Sequence, residues 1–162
     1  MGQVRVEKFV DADRYRVCEL ARMAHEESLF GDIPFSETKF FAQFDNTIEE
    51  PHEFLGLKVH LDGHIIGFCY AQLGGFYIGE GAKIVTVISL VTDPEVRAKV
   101  LGGKAALKLT KGIEVWAKAM GAAHVMYHVT SGTSPVGSDR FFRRLGMRTL
   151  GGNYFKSLEK AQ

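Results

Sequence analysis

Between Leu90 and Ala105 the chain gathers groups that suit a polyphosphate: Arg97, Lys99 and Lys104 around the Gly102-Gly103 pair. A glycine-containing turn that feeds a helix aims several backbone N–H groups and the positive end of the helix dipole at one spot, which suits a diphosphate. Taken alone, such a turn is equally an ordinary strand-to-helix connection, so its meaning rests on the elements that flank it. Before it, Ile84 to Thr92 is apolar on both alternating faces apart from Thr86 and Ser89, the pattern of a strand in the middle of a sheet. After it, Ala106, Leu109, Ile113, Trp116, Ala117 and Met120 recur at helical spacing and predict a helix from about Gly103 to Met120, ended by Gly121. Lys104, Lys108, Lys111 and Lys118 fall on the opposite face, which reads as solvated except at Lys104, in the first turn beside the phosphate-suited turn.

Two runs carry a family resemblance. Leu90-x-x-x-Pro94-x-x-Arg97-x-Lys99, followed by the glycines and a helix, resembles the acetyl-CoA-binding motif of the GNAT superfamily of N-acetyltransferases, written Arg/Gln-x-x-Gly-x-Gly/Ala. Counting from Arg97, Val100 replaces the first motif glycine and Gly102 meets the second. The run Ser138-x-x-Phe141-Phe142-x-x-Leu145-Gly146-Met147 resembles the family's Ala-x-x-Phe-Tyr-x-x-Leu-Gly-Phe, the helix that packs against the pantetheine and adenosine side of the cofactor.

The resemblance implies a single α/β (α+β) domain over residues 1–162. Its central, mostly antiparallel mixed sheet would have about six to seven strands and about four helices, with the fourth and fifth strands splayed. It implies acetyl-CoA as co-substrate, held by Leu90, Val91, Thr92, Arg97, Ala98, Lys99, Val100, Leu101, Gly102, Gly103, Lys104, Ser138 and Phe142. The acceptor would be a primary amine on a small molecule or protein, in a cleft lined by the first two helices; Glu26, Glu27, Phe30 and Phe35 are the residues to inspect for substrate choice.

Main-chain groups of Leu90 to Thr92 would bind pantetheine and polarise the thioester carbonyl. The proton-transfer groups depart from the pattern. Phe142 stands where the family has a tyrosine that protonates the leaving thiolate, and a strand carboxylate used by some members would fall near Ile84. Glu26, Glu80 and Asp93 are candidate bases; Tyr127, Tyr154 and Ser138 are candidate acids. The alternative reading is a GNAT-fold protein that has lost activity and binds CoA as a regulator or serves in an assembly.

The chain of 162 residues, 46% hydrophobic and 24% charged, suits one globular domain. Twenty Lys+Arg against 19 Asp+Glu, a net charge of +1, argue against nucleic acid as a principal partner. Cys18 and Cys69 read as buried reduced thiols. With no signal-peptide pattern and no apolar run long enough to span a bilayer, the expectation is a cytoplasmic protein with no membrane partner, a monomer or homodimer.

Along the chain, Val4 to Val10 alternates as a first strand, Asp11 opens a helix to about Glu27, and Ser36 opens a second that Pro51 ends. Phe54–Leu61 and His64–Leu73 flank Asp62-Gly63, the signal of a type I′ hairpin. In that register His60 and His64 project to opposite sides of the sheet and cannot share a metal. His124 to Val129 reads as a strand, on which His124 and His128 stand roughly 13 Å apart, and no metal site is expected. Ser138 opens a helix through Leu145, and Tyr154 to Leu158 reads as a last strand.

Overall fold

The computed structural model describes residues 2–158. Five strands form one sheet in chain order: β1 (Val4–Lys8), β2 (Phe54–Leu61), β3 (His64–Gly75), β4 (Lys83–Thr92) and β5 (His124–Tyr127). The first four are antiparallel neighbours and β5 runs parallel to β4. The helices are α1 (Arg14–Glu26), α2 (Glu37–Glu49), the single turn α3 (Pro94–Arg97), α4 (Val100–Ala119) and α5 (Pro135–Arg144).

The hairpin forms as its turn residues dictate. Asp62 and Gly63 both hold positive φ, 50° and 83°, as a type I′ turn requires. Leu61 pairs with His64 and His60 with Ile65, which separates the two histidines across the sheet. On one face of the sheet, Leu57, Val59, Cys69, Ala71, Val85 and Val87 pack against Leu109, Ile113 and Trp116 of α4. The other face carries a smaller aromatic core of Phe9, Phe44 and Phe68 with Val17 and Leu20 of α1. Both faces of β3 and β4 are therefore covered, which is why these two strands lack a polar face.

Several boundaries differ from expectation. Tyr154 to Leu158 forms no strand, so the described sheet has five strands instead of six or seven. Gly151 at φ 135° turns the chain, Tyr154 is 100% exposed, and Phe155 stacks edge-on against Phe30 (5.4 Å between centroids). The described residues form five α-helices instead of four because α3 forms separately. Asp11 does not cap α1: it opens a 3-10 turn and pairs with Arg14 (2.9 Å). Asp13, buried, instead accepts the Val10 N–H (2.8 Å) and the Lys58 ammonium (2.8 Å). Ser134, with Pro135 at the first helical position, starts α5 four residues before Ser138. The helix expected from Gly103 begins at Val100, so Gly102 and Gly103 belong to its first turn. No helix among the described residues is long and apolar enough to cross a membrane.

Candidate active site

β4 carries a bulge at Ile88, since Ala71 pairs with Val87 while Tyr70 pairs with Ser89. On its other edge β4 pairs with β5 only from Ile84 to Val87. The last link is the His128 N–H donating to the Val87 carbonyl at 3.1 Å. From Ile88 to Thr92 β4 thus has a strand neighbour on the β3 side alone, and the sheet opens as a wedge. A bulge adds local twist and re-aims the strand, which explains why β5 stops at Tyr127 and not at the expected Val129.

A cleft of about 810 Å³ occupies the wedge and continues through it. On one side it is walled by Ser89 to Thr92 of β4, Gly102, Gly103 and Ala106 of α4, and Ser138 and Phe142 of α5, with Arg97 beside them. On the other it runs between α1 and α2, past His25, Phe35, Lys39 and Phe40.

Local packing sets the geometry at the start of α4. Asp93 caps α3 by accepting the Glu95 N–H (2.9 Å) and is tied to Arg16 of α1 (2.5 Å). Lys99 then stands at the N-cap of α4. A Cβ on Gly102 would meet the Val96 carbonyl oxygen at 2.5 Å and the Arg97 Cα at 2.6 Å. Glycine is needed there for α3 to lie against α4. A Cβ on Gly103 would meet nothing within 4 Å, and Gly103 lines the cleft. The Gly102 and Gly103 N–H groups both donate to the Lys99 carbonyl, at 3.0 and 3.5 Å, which leaves the amides of Val100 and Leu101 to receive an anion at this helix end.

Of the residues expected to hold a cofactor, Leu90, Val91, Thr92, Arg97, Gly102, Gly103, Ser138 and Phe142 line the cleft. Ala98, Lys99, Val100, Leu101 and Lys104 are not among its walls: Leu101 packs on the α4 core, while Val100 and Lys104 are exposed. Of the proton-transfer candidates, Tyr127 and Ser138 line it, and Glu26, Glu80, Asp93 and Tyr154 do not. Asp93 is buried in its ion pair, and the other three are exposed. Phe30 and Phe35 do line the cleft; Glu27 is occupied by Arg97 (2.7 Å).

The cleft also holds His25, Lys39, Gln43 and His128, which motif reasoning passed over. Helical spacing would have found three of them. Ala21, Ala24 and His25 form one stripe of α1, and Lys39, Phe40, Gln43 and Phe44 one of α2. Among the described residues no three His, Cys, Asp or Glu side chains gather as a metal site.

No protein-family model and no curated relative matches the sequence. Solved structures match it over almost its full length. Glucosamine-6-phosphate N-acetyltransferase from Arabidopsis thaliana superposes with a TM-score of 0.69 at 17% identity, over 97% of this chain and 99% of its own. Aminoglycoside N-acetyltransferase AAC(6')-Iy in complex with CoA gives 0.71 at 14% identity, over 97% and 95%. The aminoglycoside 6'-N-acetyltransferase AAC(6')-IG from Acinetobacter haemolyticus gives 0.69 at 18%, over 97% and 99%. The chain has the GNAT acetyltransferase fold. Fold alone does not assign chemistry, so what the cleft can do is read from its own side chains.

There, Phe142 lies on Tyr127 with ring centroids 4.7 Å apart. The Tyr127 hydroxyl is buried without a well-formed hydrogen bond. Burial pushes its pKa far above the ordinary tyrosine value, and the nearby Thr110 hydroxyl offsets this only in part; Thr110 itself donates to the Ala106 carbonyl (2.9 Å). A phenol held so firmly protonated is a poor acid toward a departing thiolate. Its burial is a cost, because an unpaired buried hydroxyl forfeits its water contacts. Tyr127→Phe is therefore expected to raise unfolding stability by about 1 kcal/mol, read by urea denaturation, and to change any acetyl-transfer rate less than about threefold. Loss of stability would mean that the hydroxyl is paired in solution.

Neither cysteine is a nucleophile in this geometry. Cys69 is fully buried, which pushes its thiol up to about 12, and Cys18 is raised in the same direction by burial.

Proposed function

We propose that this chain is an acetyl-CoA-dependent N-acetyltransferase that moves an acetyl group to a primary amine. The observation that carries the reading is the wedge between β4 and β5, which joins the start of α4 to the α1–α2 side in one continuous cleft. In this reading the CoA diphosphate lies at the first turn of α4 with Arg97 beside it, and pantetheine extends along Ser89 to Thr92. The acceptor amine approaches from the α1–α2 side.

The amine attacks as its neutral form. Its lone pair bonds to the thioester carbonyl carbon, and the carbonyl oxygen becomes an oxyanion. Collapse breaks the C–S bond, and the proton shed by the nitrogen balances the thiolate as CoA thiol. In this reading main-chain N–H groups beside the Ile88 bulge stabilise the oxyanion. His25 is the side chain on the acceptor side suited to take the proton; its Nε2 contacts the Ile33 carbonyl oxygen at 2.5 Å, which orients the ring. Holding the two reactants in one cleft supplies much of the acceleration, since proximity alone is worth up to roughly 7–11 kcal/mol.

Thiol release from acetyl-CoA over an amine panel, with calorimetric titration of acetyl-CoA, tests this reading. Turnover with at least one primary amine is expected; binding of acetyl-CoA without turnover on any amine would place the chain among inactive CoA binders. The same assay reads Phe142→Tyr. That substitution sets a phenol at the family's acid position, half-buried in the cleft wall. If thiolate departure limits the wild type, kcat rises about 10-fold, within the usual reach of general acid catalysis. An unchanged kcat in an active enzyme would show that another step limits it.

A further inference from the structure

Resting on that reading, we propose that the acceptor is a ring-bearing apolar monoamine, and that the α1–α2 half of the cleft selects against amines carrying a second positive charge. Aromatic and aliphatic side chains make up most of the walls of this half, with His25, Lys39 and Gln43 among them. Phe35 and Phe40 lie 6.3 Å apart between ring centroids, and Phe40 meets Phe68 of the sheet edge-on at 6.4 Å. At the mouth, Phe30 and Ile33 are 38% and 55% exposed although both line the cleft. A flat apolar body would cover these side chains and remove them from water.

The charges point the same way. Polycationic amines are held by carboxylates, yet the described walls of the cleft contain no Asp or Glu; their ionisable side chains besides tyrosine are His25, Lys39, Arg97 and His128. Of the carboxylates on the neighbouring segments, Glu27 pairs with Arg97 at 2.7 Å and Glu37 with Arg22, while Glu26 and Asp32 are exposed to solvent and line no part of the cleft. Lys39, an exposed residue of the cleft wall, has no ion-pair partner among the described residues. A second ammonium on the acceptor would be repelled there, which makes Lys39 a specificity element acting by exclusion. This chemistry differs from that of the aminoglycoside N-acetyltransferases that share the fold.

The test uses phenethylamine as the apolar monoamine, with spermidine and kanamycin as polycations. Binding of each amine is measured by calorimetry on the protein alone and on its acetyl-CoA complex, beside kcat/KM from thiol release. Phenethylamine is expected to exceed both polycations by at least about 100-fold in whichever of these is measurable, a ratio set by desolvation on one side and repulsion on the other. Comparable values, or preference for either polycation, would overturn the proposal. Because the amine-binding arm works without cofactor, failure of acetyl-CoA to bind would sink the transferase reading and leave the acceptor class separately decided. Ile33→Glu places a carboxylate at the exposed mouth and is expected to cost phenethylamine about 10-fold while improving spermidine by a similar factor. Lys39→Glu should shift the same ratio in the same direction. If both variants melt like the wild type and neither moves the spermidine-to-phenethylamine ratio, the charge argument is wrong.

Discussion

Gly103→Val is expected to weaken acetyl-CoA binding by more than about 100-fold, close to 2.8 kcal/mol at 1.4 kcal/mol per decade, while leaving the melting behaviour of the protein nearly unchanged. Its neighbour Gly102 supplies the contrast. A side chain on Gly103 meets no protein atom, and Gly103 lines the cleft, so the expected clash is with a ligand bound there. Within a helix, valine in place of glycine changes stability by only about 0.5 kcal/mol. Gly102→Val has the opposite signature. Its Cβ would fall 2.5 Å from the Val96 carbonyl oxygen and 2.8 Å from that of Arg97, and backbone cannot step aside as a flexible side chain can. Overpacking of that kind costs about 3 kcal/mol, the upper end of the usual range, and should appear first as a lowered melting temperature. A Gly103→Val protein that binds acetyl-CoA at wild-type affinity would remove the start of α4 from the cofactor site.

Arg97→Ala should weaken acetyl-CoA binding by about 10- to 100-fold, as loss of one charge-assisted contact worth about 1.5–3 kcal/mol implies. It should also flatten the dependence of affinity on salt, because a screened cation has gone. Lys104→Ala should change affinity by less than about threefold, since an exposed ammonium that lines no part of the cleft acts at most through screened solvent. Arg97 is also the partner of Glu27, and both side chains are substantially exposed, at 44% and 36%. Such a pair is worth about 0–1 kcal/mol, so a phosphate can displace it. Glu27→Gln should then strengthen binding, by no more than about fivefold. Unchanged affinity in Arg97→Ala would locate the phosphates elsewhere.

The parts of this site that were legible in the sequence are those set by local chemistry. Asp62-Gly63 dictated the hairpin and with it the separation of His60 from His64; the two-faced apolar run before Asp93 marked the central strand; the period of α4 placed its buried face. What stayed hidden depends on contacts between distant segments. Asp93 reads as a free carboxylate until Arg16, 77 positions away, is folded onto it. Gly102 and Gly103 read as a turn, but the close approach of α3 makes them two unlike positions in one helical turn. Tyr154 to Leu158 has strand-like residues, yet β-propensity is fulfilled only where a neighbouring edge accepts the hydrogen bonds. Here Gly151 turns the chain and Phe155 packs on Phe30 instead. His25 and Lys39 matched no motif. Only the pairing of α1 with α2 across one cleft gives them a common address.

The central claim is that acetyl-CoA occupies the β4–β5 wedge against the first turn of α4. The most direct measurement is an amide chemical-shift titration of the labelled protein with acetyl-CoA. The amides of Ser89, Leu90, Val91 and Thr92 are expected to shift together with those of Arg97, Gly102 and Gly103, on one saturation curve, with exposed loop positions such as Gly81 unmoved. Saturable shifts confined to other parts of the surface, leaving β4 and the start of α4 unperturbed, would contradict the account.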